Sequence, residues 1–320
     1  MQLNILNLKK DFMSIEETQF ELSQRAIQHG SKSFRLASLF LDSEAQRGAY
    51  LLYRWCRHCD DVIDEGHDPL EGLKSLQQET QSSLQKNDLG SSEDHSDLSA
   101  FSGLQELNLK FKVPHHLFFE LLEGFRMDVE KVPLNTYEDL LKYCYHVAGV
   151  VGLMMNPILQ NSLPEVNPLS QELADSLGRA MQLTNISRDI AEDFKMGRVY
   201  IPQNWLEQNQ IPKDKILEPE FAEATFARVE ELLAKADELY LKGRKGLMYL
   251  PLRAAWSISV ASYLYQGIGH KVRRRRLKSF ASRTVLNPLE KLFYVGKGSL
   301  NFFIDRLYFN FKKMFSKERF

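Results

Sequence analysis

The chain has 320 residues, which is enough for one large domain or two ordinary ones with a sizeable core. Hydrophobic residues make up 43% of the chain and charged residues 26%, as in soluble globular proteins. There are three cysteines, no apolar run of roughly 18 residues and no secretory signal pattern at the N-terminus. We therefore expect a cytoplasmic protein, and neither a disulfide scaffold nor an integral membrane protein. Cys56 and Cys59 form a lone CxxC, which we interpret as packing and not as a zinc site.

The formal net charge of −1 hides a strong asymmetry along the chain. Residues 268–320 contain 14 Lys and Arg against 3 Asp and Glu, a net charge of +11. The remaining 27 basic and 39 acidic residues give residues 1–267 a net charge of −12. Aromatic residues are frequent in the basic segment, so we expect a peripheral contact with an anionic membrane surface. The alternatives are a plain solvated face and nucleic acid at RRRRLK (273–278), and we expect no nucleic acid partner.

Apolar residues recur at spacings of three and four almost throughout the chain. This pattern predicts helices over 15–29, 44–65, 70–86, 114–130, 137–160, 169–195, 219–245 and 251–276. No alternating run predicts a strand. The serine-rich segment 86–103 is predicted to be a mobile surface loop. The sequence therefore predicts one large all-α domain over residues 1–295, followed by a basic aromatic tail over 296–320.

The stretch RWCRHCDDVIDEGHD (54–68) gathers carboxylates near the end of a predicted helix. Asp60 and Asp64 are four residues apart and share a helix face, whereas Asp61 points about 100° away. Gly66 marks the helix end, where the macrodipole disfavours anionic side chains. A sequence that places several acids there is expected to supply a cation.

A second polar stripe lies in QLTNISRDIAEDFKMGRVYIP (182–202). Asn185, Asp189 and Asp193 follow one another at spacings of four, and Gln182 lies upstream on nearly the same face. Two helices that present oxygens at their C-terminal ends could face each other across a cavity. Such a site suits Mg²⁺ with a phosphate substrate, because Mg²⁺ takes few carboxylates and leaves positions for phosphate. The alternative is two solvated acidic faces, in which the neighbouring arginines are ordinary ion-pair partners.

Four motifs together resemble the squalene/phytoene synthase family of head-to-head prenyl transferases. They are SKSFRLASLF (31–40), YRWCRHCDDVIDE (53–65), YCYHVAGVVGLMM (143–155) and QLTNISRDIAEDFKMGRVYIP (182–202). Their order and spacing match the family, and the similarity runs from about residue 25 to about residue 295. The last motif looks most similar to that of bacterial phytoene synthases.

The resemblance implies an all-α domain of the isoprenoid synthase type with a central active-site cavity. It also implies that two prenyl diphosphates condense to a cyclopropylcarbinyl diphosphate, which rearranges to a linear hydrocarbon. The leading hypothesis is a phytoene synthase that uses geranylgeranyl diphosphate with Mg²⁺, or Mn²⁺ in its place. The alternative is a squalene or dehydrosqualene synthase that uses farnesyl diphosphate. We expect no NADPH, because GIGHKV (267–272) lacks the third glycine of a dinucleotide motif. A non-catalytic relative would be expected to lose its acids, and both sets are present here.

The resemblance also assigns roles to individual residues. The metal ligands would be Asp60, Asp64, Asn185, Asp189 and Asp193. The diphosphate would be bound by Ser31, Lys32, Ser33, Arg57, Arg188 and Arg198. The prenyl cavity would be lined by Phe34, Tyr53, Tyr143, Val147, Val151, Gly152, Gln182 and Tyr265. The four aspartates, Tyr143 and Arg57 would be catalytic.

The sequence departs from the family pattern at two positions. Gly30 precedes the SKSF motif where a histidine or similar residue is common, and Ser187 replaces a leucine in the second acidic motif. Gly149 and Gly152 lie inside a predicted helix, where each costs about 1 kcal/mol relative to alanine. We therefore expect close packing or a passage for substrate at these glycines.

Overall fold

The computed structural model of the protein describes residues 21–24, 27, 32–85, 100–163 and 167–315. Within these ranges the regular structure is helical and contains no β-strand, so the all-α prediction is confirmed. The α-helices are α1 (Lys32–Ser38), α2 (Ser43–Glu65), α3 (Pro69–Gln85), α4 (Ser102–Leu109), α5 (His115–Val129), α6 (Tyr137–Cys144), α7 (Val150–Leu159), α8 (Pro168–Lys195), α9 (Gln203–Gln208), α10 (Ala222–Arg244), α11 (Leu252–Arg275), α12 (Lys278–Ala281) and α13 (Pro288–Phe315). A π-helical turn (Tyr145–Gly149) joins α6 to α7, and 3₁₀ turns cover Lys213–Lys215 and Lys245–Tyr249.

Local capping signals fix the starts of the two long helices that matter most for function. The Asp42 side chain caps α2 by accepting a hydrogen bond from the Ala45 backbone N–H at 2.9 Å. Asn167 caps α8 in the same way through the Leu169 N–H, and Pro168 occupies the first helical position. Each helix begins within one residue of its predicted start.

Three sequence expectations differ from the structure. The predicted loop 86–103 is too long, because α4 begins at Ser102 and Phe101 is already buried; residues 86–99 lie outside the described ranges. The single helix predicted over 137–160 is interrupted by the π-helical turn. Helix α13 runs through the expected boundary at residue 295 without a break, so the basic tail is largely the second half of a helix that begins at Pro288. The predicted helix over 15–29 is described only at residues 21–24 and 27, which are helical.

Helix α8 occupies the centre of the domain. It packs against α7, α10 and α11, while α2 packs against α3, α4 and α7 on the other side. Large side chains such as Trp55, Phe118, Phe226 and Tyr240 are fully buried in the core between these layers. The two helices that carry the acidic motifs, α2 and α8, are thereby held on either side of α7.

Helix α8 approaches both α7 and the π-helical turn before it at backbone contact. A Cβ atom added at Gly178 of α8 would lie 2.3 Å from the Ala148 carbonyl oxygen. A Cβ added at Gly152 of α7 would lie 2.5 Å from the Ala174 carbonyl oxygen. These distances are too short for any side chain, so the close-packing explanation for the helical glycines is confirmed at Gly152.

None of the helices among the described residues combines the length and the apolar character needed to span a bilayer.

The close approach of α8 to the π-helical turn predicts opposite effects for two glycine-to-alanine substitutions. We expect Gly178→Ala to destabilise the fold by about 1–3 kcal/mol, because the methyl group overlaps backbone atoms that cannot rotate away. Gly296→Ala in α13 is the matched control, because nothing lies within 4 Å of the added Cβ. It should stabilise by about 0.5–1 kcal/mol through helix propensity. Urea unfolding measures both, and equal effects would contradict the predicted contact.

Candidate active site

The two acidic helix ends face each other across one cavity. Asp60 and Asp64 lie in the last two turns of α2, and Asn185, Asp189 and Asp193 lie in the second half of α8. All five side chains line the same polar cavity of about 300 Å³, which we call the acidic cavity. Two oxygen sets separated by more than 100 residues in sequence are thus brought together.

A glycine turn closes α8 and returns the chain towards the acidic cavity. Gly197 has a φ of +75°, a left-handed conformation that favours glycine, and its N–H donates to the Phe194 carbonyl oxygen at 3.0 Å. The next N–H, of Arg198, donates to the Asp193 carbonyl oxygen at 2.8 Å. The Arg198 guanidinium then reaches across to the Asp64 carboxylate at 2.6 Å. This ion pair links the ends of the two acidic helices.

Arg198 pairs with Asp64 and Arg188 with Asp189, but among the described residues no ion pair joins an arginine to Asp60 or Asp193. Burial raises the pKa of Asp60 to about 7, and the neighbouring Asp64 carboxylate adds to the effect. Burial likewise raises the pKa of Asp193 to about 7, with Asp189 as the next cause. Both carboxyls therefore lie where a counter-charge would favour their ionised form.

Asp189 is in the opposite situation. Burial alone would raise its pKa, but hydrogen bonds and charge from Arg188 and Arg283 hold that pKa below the ordinary value. The Arg188 Nε–H donates to Asp189 at 2.7 Å, and the Arg283 guanidinium donates at 3.0 and 3.1 Å. Sequence reasoning missed Arg283, which lies 94 residues away in the connection between α12 and α13. No local signal could have indicated this pairing.

The predicted diphosphate-binding arginines divide into two groups. Arg188 and Arg198 line the acidic cavity. Arg57 lines neither cavity; its side chain is 47% exposed and pairs with Asp61 at 2.5 Å. Asp61 does not line the cavity, in agreement with its predicted direction on the helix.

Sequence reasoning also missed a buried acid at the centre of the site. Asp128, at the end of α5, lines the acidic cavity and accepts hydrogen bonds from the Tyr143 hydroxyl at 2.8 Å and the Tyr200 hydroxyl at 2.9 Å. The two tyrosine rings stack with their centroids 4.9 Å apart. Burial raises the pKa of Asp128, and the two tyrosine hydrogen bonds oppose that shift. The sequence contains one signal for Asp128, which is an acid near the end of the helix predicted over 114–130. Tyr200 lies inside the motif QLTNISRDIAEDFKMGRVYIP (182–202).

A second cavity, of about 280 Å³ and mostly apolar walls, lies beside the first; we call it the apolar cavity. Seven of the eight predicted prenyl-cavity residues line it, namely Phe34, Tyr53, Val147, Val151, Gly152, Gln182 and Tyr265. The eighth, Tyr143, lines the acidic cavity instead. The Phe34 and Tyr53 rings stack at 5.8 Å between centroids.

The two cavities share part of their walls. Cys56, Val147, Val151, Gln182 and Asn185 line both. A molecule with a charged head and a hydrocarbon tail could therefore place its head among the carboxylates and its tail among apolar side chains. The shared wall is where the two parts of such a molecule would join.

The N-terminal part of the predicted diphosphate site is described only in part. Ser31 and the side chain of Lys32 lie outside the described part of the chain. Ser33 lies in the first turn of α1, directly before Phe34 of the apolar cavity. Their predicted contact with diphosphate stays a prediction.

The acidic cavity offers oxygen ligands without forming a closed metal site. Among the described residues, no three His, Cys, Asp or Glu side chains form a group that could hold a metal ion. The Asn185 amide donates to Gln182 at 3.4 Å, while its buried Oδ1 atom has no hydrogen-bond partner. A buried acceptor without a partner, next to carboxylates with raised pKa values, fits a cation that takes further ligands from a bound anion.

The chain is similar to known proteins over most of its length. The family model described as squalene/phytoene synthase matches residues 27–290. A 15-cis-phytoene synthase from Pantoea ananas is 37% identical over 267 residues, 82% of this chain and 85% of that protein. A 15-cis-phytoene synthase from a Paracoccus species is 34% identical over 295 residues, 89% of this chain and 92% of that protein. The crystal structure of a dehydrosqualene synthase with a ligand has a TM-score of 0.76 and 25% identity, covering 91% of this chain and 98% of that one.

The surroundings of the three cysteines predict low thiol reactivity, since Cys59 and Cys144 are buried and Cys56 is half-buried on the wall that the two cavities share. Burial raises the pKa of Cys56, Cys59 and Cys144 far above the ordinary thiol value, so few thiolates exist at pH 8. Ellman's reagent should react slowly with the native protein and rapidly with all three thiols in denaturant. A fast-reacting thiol in the native state would contradict the packing interpretation of Cys56 and Cys59.

Proposed function

The chain belongs to the squalene/phytoene synthase family and is a prenyl transferase, and from this premise we propose that it is a phytoene synthase. It would condense two molecules of geranylgeranyl diphosphate to phytoene and release diphosphate. The observation that carries the proposal is the pair of opposed acidic helix ends whose cavity shares its wall with an apolar cavity. Identities of 37% and 34% to phytoene synthases support this product.

Mg²⁺ is the proposed metal, with Mn²⁺ as an alternative, and the residues of the acidic cavity fit it. Asp60, Asp64, Asn185, Asp189 and Asp193 would be its ligands, since Mg²⁺ prefers oxygen and accepts phosphate in its shell. When bound, the cation offsets the negative charge that develops on the departing diphosphate. The partnerless Asn185 Oδ1 atom and the raised pKa values of Asp60 and Asp193 support this assignment.

The arginines would bind and orient the diphosphate. Each guanidinium carries five N–H donors in a planar fork, so a carboxylate pair leaves donors for phosphate oxygens. Arg188 and Arg198 line the cavity, and the exposed Arg57 on α2 would have to leave Asp61 to reach a phosphate. The existing ion pairs hold these guanidinium groups in place before substrate binds, which lowers the ordering cost.

The apolar cavity would protect the carbocations that form when diphosphate leaves. Aromatic faces attract cations through their quadrupole, and Phe34, Tyr53 and Tyr265 line this cavity. Water is kept from the reacting carbons because most of the surrounding wall is apolar. Tyr143 would act from the acidic side, where its hydroxyl is fixed by Asp128. Gln182, on the shared wall, would hydrogen-bond near the reacting ends.

The second candidate is a dehydrosqualene or squalene synthase that uses farnesyl diphosphate. Its support is the likeness to the dehydrosqualene synthase structure and to a squalene synthase from Alicyclobacillus acidocaldarius, which has a TM-score of 0.68 and 26% identity over 84% of this chain and 95% of that one. We favour phytoene synthase because the sequence identities to phytoene synthases are higher. NADPH would be required only for squalene, and it is not part of our proposal.

Product analysis tests the proposed function directly. Purified protein with Mg²⁺ should convert geranylgeranyl diphosphate to phytoene without NADPH. Asp60→Asn and Asp193→Asn should each lower kcat by about 100-fold or more, because each removes charge from the metal and diphosphate site. Asp175→Asn is the matched control; it lies on α8, pairs with Arg179 and lines neither cavity, so it should retain activity.

Three outcomes of this assay would count against the proposal. Formation of squalene or dehydrosqualene in preference to phytoene would favour the second candidate. No product from either diphosphate would contradict the enzyme assignment. Full activity of both asparagine variants would contradict the metal assignment and leave the product assignment standing.

We also propose a peripheral membrane contact for this enzyme in the cytoplasm, and the support lies in α13. One side of this helix is fixed to the domain, since Phe302 is buried and the Trp256 indole N–H donates to Ser299 Oγ at 2.8 Å. The opposite side exposes a continuous apolar face, the α13 face, made of Leu289, Leu292, Phe293, Leu300, Phe303, Ile304, Leu307, Tyr308, Phe311 and Met314. This face is too wide for the narrow seam of a coiled coil, which favours lipid over a second helix.

Charge and position favour an anionic bilayer as the partner. Residues 268–320 carry a net charge of +11, and lysines such as Lys297 and Lys312 flank the α13 face. The Arg306 guanidinium donates to the Met248 carbonyl oxygen at 2.9 Å, and the adjacent Leu247 and Leu250 line the apolar cavity. The proposed membrane contact therefore lies close to the place where a hydrocarbon product would form.

Vesicle flotation tests the membrane contact. The native protein should float with vesicles that contain phosphatidylserine and much less with phosphatidylcholine alone. Leu300→Glu with Leu307→Glu should weaken this binding by about tenfold or more, because two charges enter the apolar face. Leu169→Glu with Leu241→Glu is the control, since both leucines are exposed elsewhere on the surface.

A different partner for the α13 face would be visible in the same proteins. The native chain could instead fail to bind vesicles and form a dimer. If the variant with Leu300→Glu and Leu307→Glu did not form that dimer, the α13 face would be a protein interface. Sedimentation measures this, and the membrane contact would then be wrong.

A further inference from the structure

A small polar cluster lines the part of the apolar cavity that is farthest along α8 from the shared wall. Asn156 of α7 and Ser170 of α8 line the cavity there, and Gln160 does not line it but hydrogen-bonds to both. These three side chains are buried, with 2%, 3% and 1% of their surface exposed. We call Asn156, Gln160 and Ser170 the polar floor.

Hydrogen bonds tie the polar floor into a closed network. Gln160 Nε2 donates to Asn156 Oδ1 at 2.7 Å and to Ser170 Oγ at 2.9 Å, and Asn156 Nδ2 donates to Ser170 Oγ at 3.0 Å. Ser170 Oγ donates in turn to the Asn167 carbonyl oxygen at 2.5 Å. Because almost every donor and acceptor is used, any group that displaces one side chain leaves others buried without partners.

The distance from the shared wall to the polar floor can be read along α8. Gln182 lies at the shared wall and Ser170 at the floor, twelve residues earlier on the same helix. At 1.5 Å per residue, this separation is about 18 Å. A tail whose first carbon lies near Gln182 has about this length available before it meets amide and hydroxyl groups.

We propose that the polar floor measures the prenyl tail and sets the substrate as the C20 diphosphate. An extended chain advances about 1.2 Å per bond, so the 15 main-chain bonds of a geranylgeranyl tail span about 18 Å. A C15 farnesyl tail spans about 13 Å and leaves an empty space above the floor. A C25 tail spans about 23 Å and must break the network. This inference rests on the proposed function, because it names the substrate length of the same site.

Competition between tail lengths tests the polar floor. The protein receives farnesyl, geranylgeranyl and geranylfarnesyl diphosphates together, and the consumption of each gives the ratios of kcat/KM. The native protein should prefer C20 to both neighbours. Asn156→Ala should raise the C25-to-C20 ratio by about tenfold or more, because it removes part of the floor and opens space for further carbons.

A second variant keeps the test decisive if Asn156→Ala does not fold. Ala174→Leu places a larger side chain one helical turn above Ser170, on the wall of the same cavity. It should shift the C20-to-C15 ratio towards C15 by about tenfold. Ser176→Ala is the control. Ser176 lies on α8 and is as buried as Ser170, but its hydroxyl donates a hydrogen bond to the Glu172 carbonyl oxygen and it lines neither cavity. Thermal midpoints recorded beside the ratios separate loss of fold from change of selectivity.

The outcomes for the polar floor and for the proposed function are distinct. A native protein that condenses these substrates, with ratios that neither variant changes, would overturn the polar floor and leave the enzyme assignment intact. A native preference for C15 would overturn the C20 assignment. A native protein that condenses none of the three diphosphates would overturn the proposed function and this inference with it.

Discussion

Negative charge concentrated between two helix ends is the constraint on which the rest of this site depends. Carboxylates at the C-terminal ends of α2 and α8 oppose both the helix dipoles and each other. Arginines neutralise Asp64 and Asp189, while burial leaves Asp60 and Asp193 with pKa values raised to about 7. A protein of marginal stability retains such a cluster only where function uses it. The proposed cation supplies the missing positive charge, and the diphosphate would complete its coordination shell.

Rigid packing keeps this repulsive arrangement in place. Helices α7 and α8 touch at their backbones through glycines, so they cannot slide without overlap. The π-helical turn before α7 falls between Tyr143, which faces the acidic cavity, and Val151, which faces both cavities. Turns of this kind are frequent at functional sites because they change which side chains share a face. The buried Asp128 then fixes the direction of the Tyr143 hydroxyl.

The two cavities separate the two physical demands of the proposed reaction. The acidic cavity offers carboxylate oxygens and guanidinium groups for a charged head, and the apolar cavity offers apolar walls for a hydrocarbon tail. The outer layer follows the same division, because α13 covers the segment that includes Leu247 and Leu250 and presents an apolar face outwards. The proposed sites for the substrate head, the substrate tail and the membrane surface thus follow one another across the domain.

The sequence by itself determined the features that depend on local spacing. Apolar periodicity predicts the helices, and four-residue spacing predicts the acidic stripes. The caps at Asp42 and Asn167, which the structure shows, are likewise contacts between close neighbours in sequence. Contacts that join distant segments were decided only by the tertiary structure. Arg283 reaches Asp189 across 94 residues, and Asp128 and Tyr200 are 72 residues apart. The physical reason is that helix geometry is set by neighbours three or four residues away, whereas the packing of whole helices decides which ends meet.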